Sequence, residues 1–228
     1  MATITLYSAP SCPYAQRTRL VLHEKNLEFE LVEIDLKQTP DWFLDLSPTG
    51  KVPLLLHDDD RVWESSAINE YLEERHPEPA LMPATPLARA RVRIEVDYAN
   101  TTFAPLYYKL LLAETAARRK QVAERLDTTL REMERNGPGA GGPWWLGDLF
   151  TLADVAFYPF FERLPVLAHY RGFTLPDDCT GLARWLDAMR ARASVRAHAR
   201  PAEFYIEAYL HYADGSANGS TAREMREA

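Results

Sequence analysis

One residue in this chain has both the type and the setting of a nucleophile. Cys12 stands in Ser11-Cys12-Pro13-Tyr14-Ala15-Gln16-Arg17, after an alternating run from Thr3 to Tyr7 and at the head of an apolar-periodic stretch from Tyr14 to Lys25. The pattern predicts strand, turn and helix, with Cys12 in the turn. Unpaired N–H groups and the positive end of the helix dipole favour an anion there, and Pro13 suits the first helical position, where no N–H is needed. A cysteine so placed can have its pKa lowered from about 8.5 to roughly 3.5–7.5, which makes a reactive thiolate. The position that would carry the second thiol of a dithiol motif is Ala15. A mixed disulfide on Cys12 must therefore be resolved by an external thiol. Cys179, in the loop-like Pro176-Asp177-Asp178-Cys179, reads as a spectator.

The elements that must position Cys12 follow from punctuation and periodicity. A second strand is expected over Leu27 to Ile34, a helical turn over Asp41 to Leu46 and a turn at Ser47 to Gly50. A strand over Val52 to Leu56, a loop at Asp58-Asp59-Asp60 and a returning strand over Arg61 to Trp63 follow. Ser65 to His76 then reads as a helix with Ala67, Ile68, Tyr71 and Leu72 on one face. The order βαβ, short helix, ββα is that of a thioredoxin-like α/β module. Pro77 to Pro86 is proline-dense and is expected to act as a linker. Beyond it the pattern is helical throughout: Leu87 to Ala113 with an interruption at Pro105, Ala116 to Arg135 with Val122, Leu126, Leu130 and Met133 in register, then Thr151 to Ala168, Gly181 to Arg192 and Ala202 to Tyr212. The expected domains are 1–78 (α/β), 79–86 (linker) and 87–212 (all-α), with 213–228 a disordered tail.

Composition narrows the function classes. Of the 228 residues 46% are hydrophobic, enough for a packed core, and the formal net charge is −7. That balance argues against nucleic-acid binding, which needs a basic footprint. No apolar run is long enough to span a bilayer, and the strand pattern at the start leaves no room for a signal peptide. Two cysteines make no disulfide framework, so a reducing, cytoplasmic setting is expected. The six histidines show no metal-ligand spacing, and no metal is expected.

Seven motifs in order carry a resemblance: Ser11-Cys12-Pro13-Tyr14-Ala15-Gln16-Arg17, Pro40-Asp41-Trp42-Phe43, Gly50-Lys51-Val52-Pro53, Trp63-Glu64-Ser65-Ser66-Ala67-Ile68, Tyr71-Leu72-Glu73-Glu74, Thr151-Leu152-Ala153-Asp154 and Trp185-Leu186-Asp187-Ala188-Met189. Over about Thr3 to Tyr212 the chain resembles the cytosolic glutathione transferases, most of all the omega-type, cysteine-containing branch. The resemblance implies a thioredoxin-like domain with an all-α domain, glutathione as cosubstrate, and a homodimer. It implies that Pro53 is cis, that the Val52 backbone pairs with the cysteinyl part of glutathione, and that Ser65 holds the γ-glutamyl carboxylate while Glu64 meets the ammonium group. Ser65 by itself reads as a helix N-cap, whose free N–H groups suit a carboxylate. Lys51 is either a point charge for the glycyl carboxylate or a surface lysine. Arg17 and Arg19 either raise the local potential or lie on the surface. Tyr98, Tyr107, Tyr108 and Trp185 are candidates for an acceptor pocket, each with core packing as the competing role. Thr151 to Asp154 matches a capping box and is assigned to folding.

Three functions fit. The first is a thiol transferase or reductase working through a Cys12–glutathione mixed disulfide, with glutathionylated proteins, small mixed disulfides, dehydroascorbate or glutathione adducts of aromatic ketones as substrates. The second is a conjugating or ether-cleaving enzyme in which a hydroxyl of Tyr7, Ser8, Ser11 or Tyr14 stabilises the glutathione thiolate. The third is a regulator. Tyr71 to Pro77, with Leu81-Met82-Pro83 and Ala88-Arg89-Ala90, also resembles bacterial stringent-starvation proteins, which bind RNA polymerase.

Overall fold

A computed structural model describes residues 3–227 and divides the chain into two compact units, up to Arg89 and from Ala90 onward. The first unit holds β1 (Ile4–Ser8), α1 (Pro13–Glu24), β2 (Glu30–Glu33), α2 (Asp41–Leu46), β3 (Leu54–His57), β4 (Asp60–Trp63) and α3 (Ser65–Arg75). The strands form one sheet in the order β2-β1-β3-β4, with β1 parallel to β2 and antiparallel to β3, and β3 antiparallel to β4. This is the expected thioredoxin-like arrangement. Strand β1 alternates buried Ile4, Leu6 and Ser8 with half-buried Thr5 and Tyr7, the period-two pattern of a strand between two packed layers. Leu20, Val21 and Leu22 of α1, Leu54 and Leu55 of β3, and Ile68 and Leu72 of α3 are all buried with Leu6.

The buried face of α3 differs from the apolar stripe expected for it. Ala67 is exposed and Tyr71 half-buried, whereas Asn69 and Glu73 are buried beside Ile68 and Leu72. Both polar residues are paired, which makes their burial tolerable. Thr18 of α1 donates to Asn69 Oδ1 at 3.1 Å. Glu73 meets Lys25 Nζ at 2.7 Å, and its carboxylate accepts the Leu81 and Met82 N–H groups. Lys25 also donates to the carbonyls of His76 and Pro79. The proline-dense segment after α3 is thus anchored to the first unit, with Leu81 and Met82 buried, and the division of the chain falls inside the next helix.

The second unit is helical. α4 (Pro86–Tyr98) runs through a π-helical turn, Ala99–Phe103, into α5 (Ala104–Leu112). Pro105 has no N–H for the carbonyl four residues back, so the expected interruption falls just before it, as a local change of helical pitch. Then come α6 (Ala116–Asn136), α7 (Leu152–Glu162), α8 (Leu164–Arg171), α9 (Thr180–Ala191), α10 (Ala193–His198), α11 (Ala202–Ala213) and α12 (Ser220–Glu227). α6 buries Val122, Leu126, Leu130 and Met133 in the expected register. The run expected from Thr151 to Ala168 breaks at Arg163 instead, because Pro165 stands in the first turn of α8. The tail expected to be disordered carries α12. Ala217 and Ala222 are buried there, and Arg226 donates to the carbonyls of Ala217 and Gly215. Among the described residues no helix is long and apolar enough to cross a membrane.

The capping box of α7 extends well beyond its own turn. Asp154 is fully buried and accepts four hydrogen bonds: Thr151 N–H at 2.8 Å and hydroxyl at 3.2 Å, Trp145 N–H at 2.8 Å and the Trp185 indole N–H at 2.9 Å. Burial pushes its carboxyl up to about 6 while these donors pull it down. Its folded-state pKa thus lies above the ordinary 3.8. The folded protein therefore takes up this proton before the unfolded chain does, and the group's contribution to stability grows as pH falls from about 6 to about 4 and is lost as pH rises through 6. In urea titrations wild type is expected to gain on Asp154→Asn by up to about 1.4 kcal/mol per pH unit across that window. A gap that stays constant from pH 7 to pH 5 would contradict the raised carboxyl.

Candidate active site

Ala9, Pro10, Ser11 and Cys12 form the turn between β1 and α1. The Cys12 N–H donates to the Ala9 carbonyl at 3.1 Å, and Pro10 takes the second turn position, which its fixed φ suits. Cys12 is the N-cap of α1 and Pro13 its first residue. The Cys12 Sγ accepts the Ala15 N–H at 3.5 Å, and its thiol donates to the Val52 carbonyl at 3.8 Å. A sulfur therefore fills the place an oxygen usually takes at a helix start. The residue is partly buried, packed against a small apolar cluster that includes Ala9, Ala15, Phe43, Val52 and Leu54.

The sheet register gathers the other first-unit candidates to the same end. Leu54 of β3 lies opposite both Tyr7 of β1 and Trp63 of β4. Val52 and Pro53, just before β3, therefore run between the chain that leaves β1 for Cys12 and the chain that leaves β4 as Glu64 and Ser65. The Val52–Pro53 bond is cis, as expected. Glu64 is exposed and has φ +66°, left-handed backbone for a non-glycine residue, a conformation that costs about 1–3 kcal/mol and concentrates at functional sites. Glu64 rather than Ser65 is the N-cap of α3, which corrects the expected cap. Ser65 is the first helical residue and is buried at 5% exposure. Its N–H belongs to the first turn, where no intrahelical carbonyl is in reach. Lys51 is half-buried behind Gly50, whose φ of +64° suits glycine, and its carbonyl accepts the Ser47 hydroxyl.

The two arginines of α1 are not surface charges. Arg17 is 1% exposed, with its guanidinium 5.0 Å from the centre of the Tyr14 ring. Arg19 is 5% exposed and donates to Ser8 Oγ at 3.1 Å and to the Ala9 carbonyl at 3.4 Å. Apolar periodicity marks neither of them as buried.

The four acceptor-pocket candidates all lie in the helical unit. Tyr107 is fully buried and donates to the Arg163 carbonyl, and Trp185 is buried against Trp145 and Phe161 with its indole N–H on Asp154. Both pack the helical core rather than open a pocket. Tyr108 is buried as well and stacks on Tyr209. Tyr98 is half-buried and hydrogen-bonded to Thr129 of α6. Cys179 is buried at the start of α9, and burial pushes its thiol up to about 11. Among the described residues no three His, Cys, Asp or Glu side chains gather to hold a metal ion.

Comparison with known proteins gives consistent matches. The family described as "Glutathione S-transferase, N-terminal domain" matches residues 6–80, and "Glutathione S-transferase, C-terminal domain" matches residues 116–188. Glutathione S-transferase DHAR2 of Arabidopsis thaliana is 33% identical over 80% of this chain and 81% of its own length. A stringent starvation protein A homolog of Coxiella burnetii is 31% identical over 72% of this chain and 77% of its own. The crystal structure of glutathione transferase Omega 3C from Trametes versicolor superposes with a TM-score of 0.83 at 28% identity, covering 93% of this chain and 91% of that one.

Proposed function

Since the chain belongs to the glutathione S-transferase family, we propose that it is a glutathione-dependent thiol transferase and reductase of the omega or DHAR kind, acting through a Cys12–glutathione mixed disulfide. The observation that carries this reading is the Cys12 sulfur itself, held at the start of α1 on the Ala15 N–H and beside Val52-Pro53. The N–H that steadies the thiol steadies a thiolate more, because hydrogen bonds to a charged acceptor are the stronger ones.

The steps balance without a second protein thiol. The Cys12 thiolate attacks the glutathione sulfur of a mixed disulfide. The Cys12–glutathione bond forms, and the substrate leaves as a thiolate that takes a proton. A second glutathione thiolate then attacks the glutathione sulfur on Cys12, giving oxidised glutathione and the free Cys12 thiolate. With dehydroascorbate as acceptor, two glutathione molecules supply two electrons and two protons. Glutathione fits the scale of the site. Two strand spacings separate the β1 end from the β4 end, roughly 10 Å, and an extended tripeptide covers about that distance. In this reading Val52 offers backbone to the cysteinyl residue. The Ser65 hydroxyl and N–H take the γ-glutamyl carboxylate, Glu64 meets the ammonium, and Lys51 meets the glycyl carboxylate. A homodimeric, cytoplasmic enzyme belongs to the same reading.

Hydroxyl-assisted conjugation is less well supported. Ser8 is buried with its hydroxyl against Arg19, and the Tyr7 ring packs on Trp42 and Phe43. The regulator reading draws on the Coxiella relative. Incubation with oxidised glutathione followed by intact mass and peptide mapping separates the three. One glutathionyl group on the Cys12 peptide supports the transferase. Glutathione binding without an adduct points to conjugation, and no binding at all points to the regulator. Ser65→Ala is expected to raise the Kd for glutathione about tenfold, the loss of one hydrogen bond to a charged group. Titration calorimetry showing an unchanged Kd would remove that hydroxyl from the site.

A further inference from the structure

The geometry points to Arg19 as a positioning residue for the Cys12 thiolate, holding the β1–α1 turn from inside the protein. This rests on the reading of Cys12 as the nucleophile. Arg19 lies seven residues beyond Cys12, about two helical turns along α1, and its guanidinium reaches back to the start of the turn. There it donates to Ser8 Oγ, at the last residue of β1, and to the Ala9 carbonyl. The Ala9 carbonyl is also the acceptor for the Cys12 N–H. One carbonyl thus takes a charged donor from the body of α1 and the amide of the residue that carries the sulfur. Ser8 is fixed on its other side as well, since its carbonyl accepts the Ile34 N–H at 2.7 Å. The turn is pinned at both ends of a short path from strand to sulfur.

The physical consequence is placement. The Cys12 Sγ meets the Ala15 N–H at 3.5 Å, an ordinary length for a hydrogen bond to sulfur. Opening the turn would lengthen and weaken that contact. A guanidinium is suited to this work because it presents several donors in a rigid fork, whereas an ammonium on a flexible stem places one compact charge. Arg19 is 5% exposed, so its charge acts where water screens it little. Arg19 acts through the turn.

The pH profile of Cys12 alkylation by iodoacetamide, read on intact protein, tests this apart from turnover. Cys179 is buried with its thiol pushed up to about 11, and Cys12→Ser gives its background. Arg19→Met keeps an unbranched apolar stem about as far as Nε and removes the donors and the charge. It is expected to raise the midpoint of the profile by about one pH unit or more, the scale on which a lost cation or donor moves a thiol. It should also lower kcat for mixed-disulfide reduction about tenfold, with the KM for glutathione changed less than twofold, and Arg19→Lys should restore part of the midpoint. Ser8→Ala removes one acceptor without stranding a buried charge. It should move the midpoint the same way by a smaller step, and it decides the matter if Arg19→Met does not fold. A folded Arg19→Met, or failing that a folded Ser8→Ala, with wild-type midpoint and kcat overturns the assignment. If wild type forms no Cys12 adduct, the thiol-transferase reading falls, and the alkylation profile still reports on Arg19.

Discussion

Cys12→Ser is expected to abolish the glutathionyl adduct and to cut turnover of a small mixed disulfide by roughly 10³-fold, while the fold and glutathione binding persist. The loss should be smaller than the ~10⁶ seen when a hydrolase loses its nucleophile, because glutathione exchanges with disulfides on its own and sets a floor. Serine is the informative substitution. It keeps a side-chain acceptor for the Ala15 N–H, so the start of α1 stays capped. What it removes is the thiol, the group that exchanges with disulfides. The measurement is steady-state turnover beside intact mass, with thermal melting as the control. An unchanged rate in a folded variant would sink the thiol-transferase reading. Retained glutathione binding would then turn attention to the hydroxyls of Ser11 and Tyr14, the hydroxyl candidates that follow the turn proline.

Asp154→Ala is expected to destabilise the protein by about 3–5 kcal/mol, as removal of a buried charged partner does. For a chain of this length that corresponds to a fall in Tm of roughly 10 °C. The reason is the four donors the carboxylate satisfies. Two are backbone N–H groups, one is the indole of Trp185 and one is the Thr151 hydroxyl. Alanine leaves the two N–H groups and the indole buried without a partner, each a cost of about 1–3 kcal/mol that local relaxation reduces. The residue ties the start of α7 to Trp145 before it and to α9 after it, so the loss is felt across the helical unit. Cys12 chemistry should survive in the folded fraction: at low temperature the adduct forms at the wild-type rate. A normal Tm with lost turnover would contradict the structural assignment.

The local features of the site were legible because local rules govern them. A cysteine before a proline at the head of an apolar-periodic stretch can only cap that helix, and Cys12 does. Thr151 three residues before Asp154 announced the capping box, and the box is present. The order of elements along the first unit follows from apolar runs, helical periodicity and turn residues. Where the sequence leaves two roles open, the deciding contacts join residues far apart in it. Trp185 lies 31 residues from Asp154, and only the packed helices show that its indole completes the Asp154 site instead of facing a pocket. Tyr107 reaches the Arg163 carbonyl 56 residues away. The buried face of α3 passes through Asn69 and Glu73 because Thr18 of α1 and Lys25, just past the end of α1, satisfy them. For Arg19 the sequence leaves open a surface charge or a source of local positive potential, and only the folded turn shows it buried on Ser8 and Ala9.

The sequence by itself determined the helix start that holds Cys12 and the two-part architecture, since each rests on neighbours within a few residues or on a simple period; the cis bond before Pro53 is what the family resemblance implies. The tertiary structure alone decided which polar groups are buried, which aromatics are core, that Glu64 rather than Ser65 caps α3, and that an arginine inside the protein fixes the turn bearing Cys12. Burying a charge or an indole N–H is tolerable only when a specific distant partner meets it, and no local rule can say where that partner will come from.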